Sequence, residues 1–225
     1  MANVKVQAIM TAPRAEITWC RNQIEKAMNE LRIPLSVSGG VYYGQCMQMM
    51  LEDAIDQGVE YAITVDGDSV FTGDQVHHLI SLAVQEDMDA LCAMQLRRGK
   101  PHMLGHRFGE VSGVWDGYPM QVDTAHFGLT VLNLKKLAAV EKPWFFCQPD
   151  ENGGWRGNKI DSDIWFWCQW KKAGLKCFID CSTRIGHVEE MVAIYDDEFK
   201  PTHMYPQDWR KYADESKACT HVDAS

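Results

Sequence analysis

Basic residues are in the minority: 22 Lys and Arg stand against 31 Asp and Glu, a formal charge of −9. An acidic chain is a poor electrostatic match for a nucleic-acid backbone, so nucleic acid is not an expected partner unless a local patch overrides the total. Long apolar runs are missing too, and none reaches the roughly 20 residues that span a bilayer. The opening MANVKVQAIM lacks a basic region followed by an apolar core, which argues against a signal peptide. No CxxC occurs among the eight cysteines. The tightest group, Cys177-x3-Cys181 followed by His187, lacks both a fourth ligand and the spacing of a zinc site. Several cysteines lie inside apolar segments, as small buried hydrophobes do in a reducing compartment, and a cytoplasmic location is expected. Internal repeats and low-complexity linkers are also absent.

What is present is an ordinary globular composition, 46% hydrophobic and 24% charged over 225 residues. That length suits one domain with a sizeable core. VKVQAIM (4–10) reads as a first strand, and residues 15–32 carry apolar positions at helical period. Pro34 opens a short strand closed by Gly39-Gly40, and a helix over 45–57 stops at Gly58. YAITV (61–65) is a continuous apolar run, the pattern of a buried parallel strand. Thr72 or Asp74 can cap a helix over 74–85, and ALCAMQL (90–96) is another strand. Residues 97–121 read as loop and hairpin, GLTVL (128–132) as a strand, and 134–140 as a short helix. A Gly-rich, aromatic-bounded loop (144–160) precedes a helix over 163–173 ended by Gly174, a strand KCFID (176–180), and a polar, weakly periodic tail. Strands alternating with helices predict a single α/β domain with a mostly parallel central sheet and helices on both faces. Ligands of such sheets bind outside the carboxyl ends of the strands. Thr11 to Arg14, Asp66 to Asp68 and Cys181 to His187 all follow strands, so the fold is expected to bring them together.

Two acids end the apolar strand in TVDGDSVF, Asp66 and Asp68 with only Gly67 between them. Hard divalent cations take oxygen ligands, and Mg²⁺ or Mn²⁺ completes its shell with substrate phosphates. Gly67 leaves room for a phosphate to come close. The plainer reading is a turn in which Asp68 or Ser69 bonds nearby backbone.

Further along come VDTAHFGLTVLN (122–133) and IDSDIWFWCQWKKAGLKCFIDCSTRIGHV (160–188). An Asp-x-Asp strand end, an FGLTVLN segment, an acidic group opening an aromatic helix that ends in AG, then a strand and Gly-His: this order resembles GT-A fold glycosyltransferases, in particular small family-2-like bacterial and viral enzymes. The resemblance implies a GT-A-type, Rossmann-like catalytic domain over 1–190, with the tail 191–225 packing on or near the active site. It implies a metal-dependent hexosyl- or pentosyltransferase that uses a nucleoside-diphosphate sugar. In it, Asp66 and Asp68 with His187 would hold Mn²⁺ or Mg²⁺ on the diphosphate. Asp163 falls on the family's general base, with Ser162 where relatives carry Glu and Asp161 as the substitute acid. A carboxylate facing an acceptor hydroxyl suits an inverting reaction, favoured here over retention. The bland reading of Asp161-Ser162-Asp163 is a helix cap.

Thr11, Ala12, Pro13 and Arg14 follow the first strand, where this fold receives the nucleoside, and Arg97 could reach donor phosphates. Each arginine could equally be a solvated surface charge. The uracil-reading acid that relatives place after the second strand is replaced by SVSGG. Trp144, Trp155 and Trp165 are candidates for stacking on sugars, with Trp155 in GGWRG as a mobile lid residue near the donor. On the following helix Trp165, Trp167 and Trp170 read as packing, and Lys200 and His203 as tail residues that could fold over the diphosphate. A sugar-nucleotide nucleotidyltransferase would want a Gly-rich loop after the first strand, and that loop is absent. A non-catalytic sugar-nucleotide-binding module would keep the Asp-x-Asp without needing Asp163. The acceptor, whether glycan, protein, lipid carrier or modified DNA, has no signature.

Overall fold

The computed structural model describes residues 4–12, 17–96, 105–106, 119–156, 159–195 and, within 198–211, all but 199, 207, 209 and 210. Its strands are β1 (Val6–Ala12), β2 (Leu35–Gly39), β3 (Tyr61–Asp66), β4 (Ser69–Val70), β5 (Ala90–Met94), β6 (Gly105–His106), β7 (Met120–Val122), β8 (Thr124–Ala125), β9 (Leu129–Asn133), β10 (Cys177–Arg184), β11 (Gly186–His187), β12 (Val192–Tyr195) and β13 (Pro201–Met204). The helices are α1 (Thr18–Glu30), α2 (Tyr43–Asp56), α3 (Gly73–Gln85), α4 (Leu134–Leu137) and α5 (Ser162–Lys172).

Period-two alternation along β1 creates the layers. Ala8 and Met10 face α1 and α3, where Ile24, Met28, Val76 and Leu79 are buried. Ile9 faces the opposite layer, where α2 contributes Met47 and Leu51, and α5 contributes Phe166, Trp167 and Trp170. Burying each of these large side chains contributes roughly 1.5–3 kcal/mol. Local rules place the helix ends. Thr72 caps α3 in a capping box with Gln75. Gly58 and Gly174 follow α2 and α5 at φ of +70° and +79°, where a side chain would be strained.

The seven-stranded sheet has the order β2-β1-β3-β9-β5-β10-β7. β1, β2, β3, β5 and β10 run one way, and β9 and β7 run against them. The sheet is therefore mostly parallel, with one correction to the sequence expectation: GLTVL sits mid-sheet as an antiparallel strand. Parallel neighbours need a crossover, commonly a helix. No helix separates β8 from β9, so β9 enters from the end at which β3 and β5 finish, with Leu129 opposite Val65. His126, Phe127 and Gly128 thereby arrive at the carboxyl ends of β3 and β5.

A second correction concerns β10, which passes through an irregularity at Asp180–Arg184 instead of ending at Asp180. Asp180 is buried there. It accepts hydrogen bonds from Thr183 Oγ1 (2.5 Å), Ser182 Oγ (2.7 Å) and Ser182 N (3.0 Å), and it faces His78 Nε2 at 3.1 Å. Beyond β11 the tail contains the β12·β13 hairpin, more order than its weak periodicity suggested. Among the described residues no helix is long and apolar enough to cross a membrane.

Candidate active site

β3 delivers Asp66 to its carboxyl end, level with Thr11 of β1. Ala12, the last residue of β1, is level with Gly39 of β2. Pro13, Arg14 and Arg97 lie outside the described residues. After Asp66 the chain turns through Gly67 and Asp68 into β4, so the segment is a turn. A Cβ on Gly67 would lie 3.9 Å from the Thr11 carbonyl, an ordinary contact.

β4 pairs with β11, His187 opposite Ser69, and Val188 N–H donates to the Asp68 carbonyl at 2.9 Å. This ribbon sets Asp68 Oδ2 and His187 Nε2 3.3 Å apart. The ring's other nitrogen, Nδ1, lies 3.0 Å from the Leu96 carbonyl. A carbonyl only accepts, so Nδ1 carries the proton and Nε2 is turned toward the carboxylate. Two lone-pair atoms so placed repel unless a proton or a cation lies between them. Cis ligands of an octahedral Mg²⁺ or Mn²⁺ at about 2.1 Å stand roughly 3 Å apart, so the pair fits such an ion. Among the described residues no group of three or more His, Cys, Asp or Glu is gathered as a metal site.

A buried polar floor supports this ribbon. Gln95, 2% exposed, donates from Nε2 to Ser69 Oγ (3.0 Å) and to the Gly186 carbonyl (3.3 Å). His126 Nε2–H donates to the Ala93 carbonyl (2.7 Å), and its Nδ1 accepts from Gly128 N–H (2.9 Å). Both ring nitrogens of the neutral form are thus satisfied. Burial, only partly opposed by the Ala93 bond and assisted by nearby His187, lowers the His126 pKa to about 4. A Cβ on Gly128 would lie 2.5 Å from Gln95 Oε1, 2.7 Å from Ser69 Oγ and 2.9 Å from His126 Nδ1, so only glycine fits.

Asp163 lies in the first turn of α5. Burial raises its carboxyl pKa above the ordinary value, helped by Asp161, while the N–H groups of Ile164 and Asp163 and the Lys159 ammonium pull the other way. Asp161 occupies the N-cap position but makes no cap hydrogen bond; it pairs with Lys159 at 2.8 Å. Of the tryptophans, Trp144 is 2% exposed and donates to the Val140 carbonyl, so it is core and not a sugar platform. Trp165 bonds the Pro143 carbonyl and meets Phe146 edge-on, while Trp155 is exposed. In the tail, Tyr205 bonds Glu189, close to His187, and Lys200 pairs with Glu198.

Tyr43, which the sequence reading passed over, opens α2. Its pKa is pushed well up by burial and then by the charges of Asp66 and Asp163, so one phenol lies near both carboxylates. Gln95, His126 and Gly128 were passed over as well. The only local signal was His126 and Gly128 just ahead of the apolar strand in AHFGLTVLN.

No protein-family model matches the sequence, and no curated protein matches it. Solved structures do. The crystal structure of A197 from STIV matches with a TM-score of 0.62 at 11% identity, over 88% of this chain and 93% of that one. The crystal structure of S. aureus TarS 1–349 in complex with UDP-GlcNAc matches with a TM-score of 0.53 at 12% identity, over 83% of this chain and 59% of that one. The chain has a GT-A-type fold. At these identities the likeness speaks to fold alone. Asp66 ends β3, Asp68 lies in the turn after it, and Asp163 lies in the first turn of α5, the helix before β10.

Proposed function

We propose that the protein is a metal-dependent glycosyltransferase that moves a sugar from a nucleoside-diphosphate donor to an acceptor hydroxyl, with inversion. The observation that carries this reading is the Asp68–His187 pair, 3.3 Å apart, with His187 oriented through Nδ1. Asp68 and His187 would hold Mn²⁺ or Mg²⁺, with Asp66 contributing directly or through water. Such ions are commonly bound by few protein ligands plus substrate phosphates. When bound, the ion neutralises the diphosphate leaving group as the glycosidic bond breaks.

The chain's own residues then divide the work. The ends of β1 and β2, with Thr11 and Ala12, receive the nucleoside, and Arg14 and Arg97 are assigned to the donor. Asp163 takes the acceptor proton. Its raised pKa gives the carboxylate more basicity than an exposed one has, which suits a general base. Asp161, paired with Lys159, holds the approach to the helix, and Trp155 covers the donor. Residues 1–190 form the catalytic domain, and the tail packs close to the site through Tyr205 and Glu189.

The test is a panel of uridine, guanosine and thymidine diphosphate sugars with Mn²⁺, followed by release of the nucleoside diphosphate. Slow donor hydrolysis that stops on chelation is expected. Consumption of nucleoside triphosphate would instead indicate a nucleotidyltransferase, and donor binding without turnover with any acceptor would indicate a binding module.

A further inference from the structure

Tyr43 is held by its ring. The ring packs on Phe127 (centroids 6.4 Å apart) and Phe145 (6.1 Å, edge-on), at the border of a cluster in which Phe145 stacks on Phe166 at 5.0 Å and Phe127 on Trp167 at 5.4 Å. The next residue seals this position. A Cβ on Gly44 would lie 2.7 Å from the Phe145 Cβ and 3.6 Å from the Ser162 Cβ, so the first turn of α2 rests directly on the start of α5. This seating sets Tyr43 beside the helix start that carries Asp163, and the charges of Asp66 and Asp163 both act on its phenol. Among the described residues nothing accepts a hydrogen bond from it or donates one to it.

We propose that Tyr43 is a sugar-contacting, specificity-determining residue: its hydroxyl donates a hydrogen bond to a hydroxyl of the transferred sugar. This inference rests on the glycosyltransferase reading, in which the sugar occupies the space between the diphosphate at Asp66 and Asp68 and the base at Asp163. The phenol lies near both carboxylates and so borders that space. Burial and the two carboxylates keep the phenol protonated, so it serves as a donor throughout the neutral range. The aromatic wall fixes the ring, so little rotamer freedom remains to be lost when the sugar binds.

The test compares wild type, Tyr43→Phe and Tyr42→Phe by calorimetry with Mn²⁺, using the donor found in the panel and the matching nucleoside diphosphate without sugar. Tyr42 is 71% exposed and serves as the control. Tyr43→Phe keeps the ring packing, so its melting temperature should match wild type. The expected result is about a tenfold loss of affinity for the nucleotide sugar with the nucleoside diphosphate unchanged, the size of one hydrogen bond. Tyr42→Phe should change neither. Equal loss with both ligands, or no loss with either, overturns the assignment of Tyr43 to the sugar. Wild type that binds neither ligand is a separate outcome: it removes the glycosyltransferase reading and this inference with it.

Discussion

Gly128→Ala is the sharpest test of the polar floor beneath the Asp68–His187 ribbon. The added methyl would meet Gln95 Oε1 at 2.5 Å, Ser69 Oγ at 2.7 Å and His126 Nδ1 at 2.9 Å, and all three residues are buried. None can swing out to solvent, so the strand or the network must shift. Overpacking a close-fitted core costs about 1–3 kcal/mol. Displacing Gln95 also endangers its bonds to Ser69 and Gly186, each worth about 1 kcal/mol or more once the donor is left buried. The sum is about 3–5 kcal/mol, a large share of the roughly 5–15 kcal/mol that stabilises a domain. Urea denaturation followed by circular dichroism should show that loss with an unchanged slope, and melting should fall by roughly 10 °C. In a Gln95→Ala background the amide is gone and the same substitution should cost at least about 1 kcal/mol less, a coupling that a double-mutant cycle reads directly. Gly67→Ala, whose new atom would make only one ordinary contact, should leave stability near wild type. If Gly128→Ala stays within about 0.5 kcal/mol of wild type, or its cost is unchanged without Gln95, the packing argument for this floor is wrong.

Asp68→Ala should abolish metal-dependent donor turnover while the fold survives; unchanged activity would sink the assignment of the cation site. Asp163→Asn should remove transfer and leave donor binding intact, and transfer that persists would make Asp163 a helix-terminus acid in an enzyme of retaining type. The same substitution has a sign for stability. A carboxyl whose folded pKa is raised costs stability once it is ionised, so Asp163→Asn should be neutral or stabilising at pH 7, and a clear loss in urea denaturation would contradict its burial as the main cause. Asp180 has the opposite sign. Burial pushes it up, but Thr183, Ser182 and His78 outweigh that and hold it below the ordinary value. Its contribution is therefore fully present above the unfolded carboxyl value and lost as pH falls through the folded one. Asp180→Asn should lower stability at neutral pH and flatten the acid limb of a stability–pH curve; an unaltered acid limb would refute this.

Much of the molecule was legible because its causes are local. The apolar run of β3, the capping box at Thr72 and Gln75, and the stops at Gly58 and Gly174 each depend on neighbours in sequence, and each lies close to where spacing and backbone chemistry put it. The candidate acids were visible because an Asp-x-Asp after a buried strand is itself a local pattern. The tryptophans show the limit. Trp144 opens one Gly-rich loop and Trp155 lies within it, and composition does not tell which one tertiary packing buries.

The sequence by itself determined the element types, the layered α/β class and the strand ends where acids collect, since these follow from periodicity and from backbone preferences. Tertiary structure alone decided the direction of β9, because a two-residue period marks a strand without giving its sense. That direction carries His126 and Gly128 beneath the ribbon, where Gln95 and Ser69 meet them. Only the fold, likewise, pairs β4 with β11 and so joins Asp68 to His187, and only the fold seats the first turn of α2 on the start of α5 beside Asp163. These contacts join residues far apart in the chain, and their energy comes from packing and buried hydrogen bonds that no short window of sequence contains.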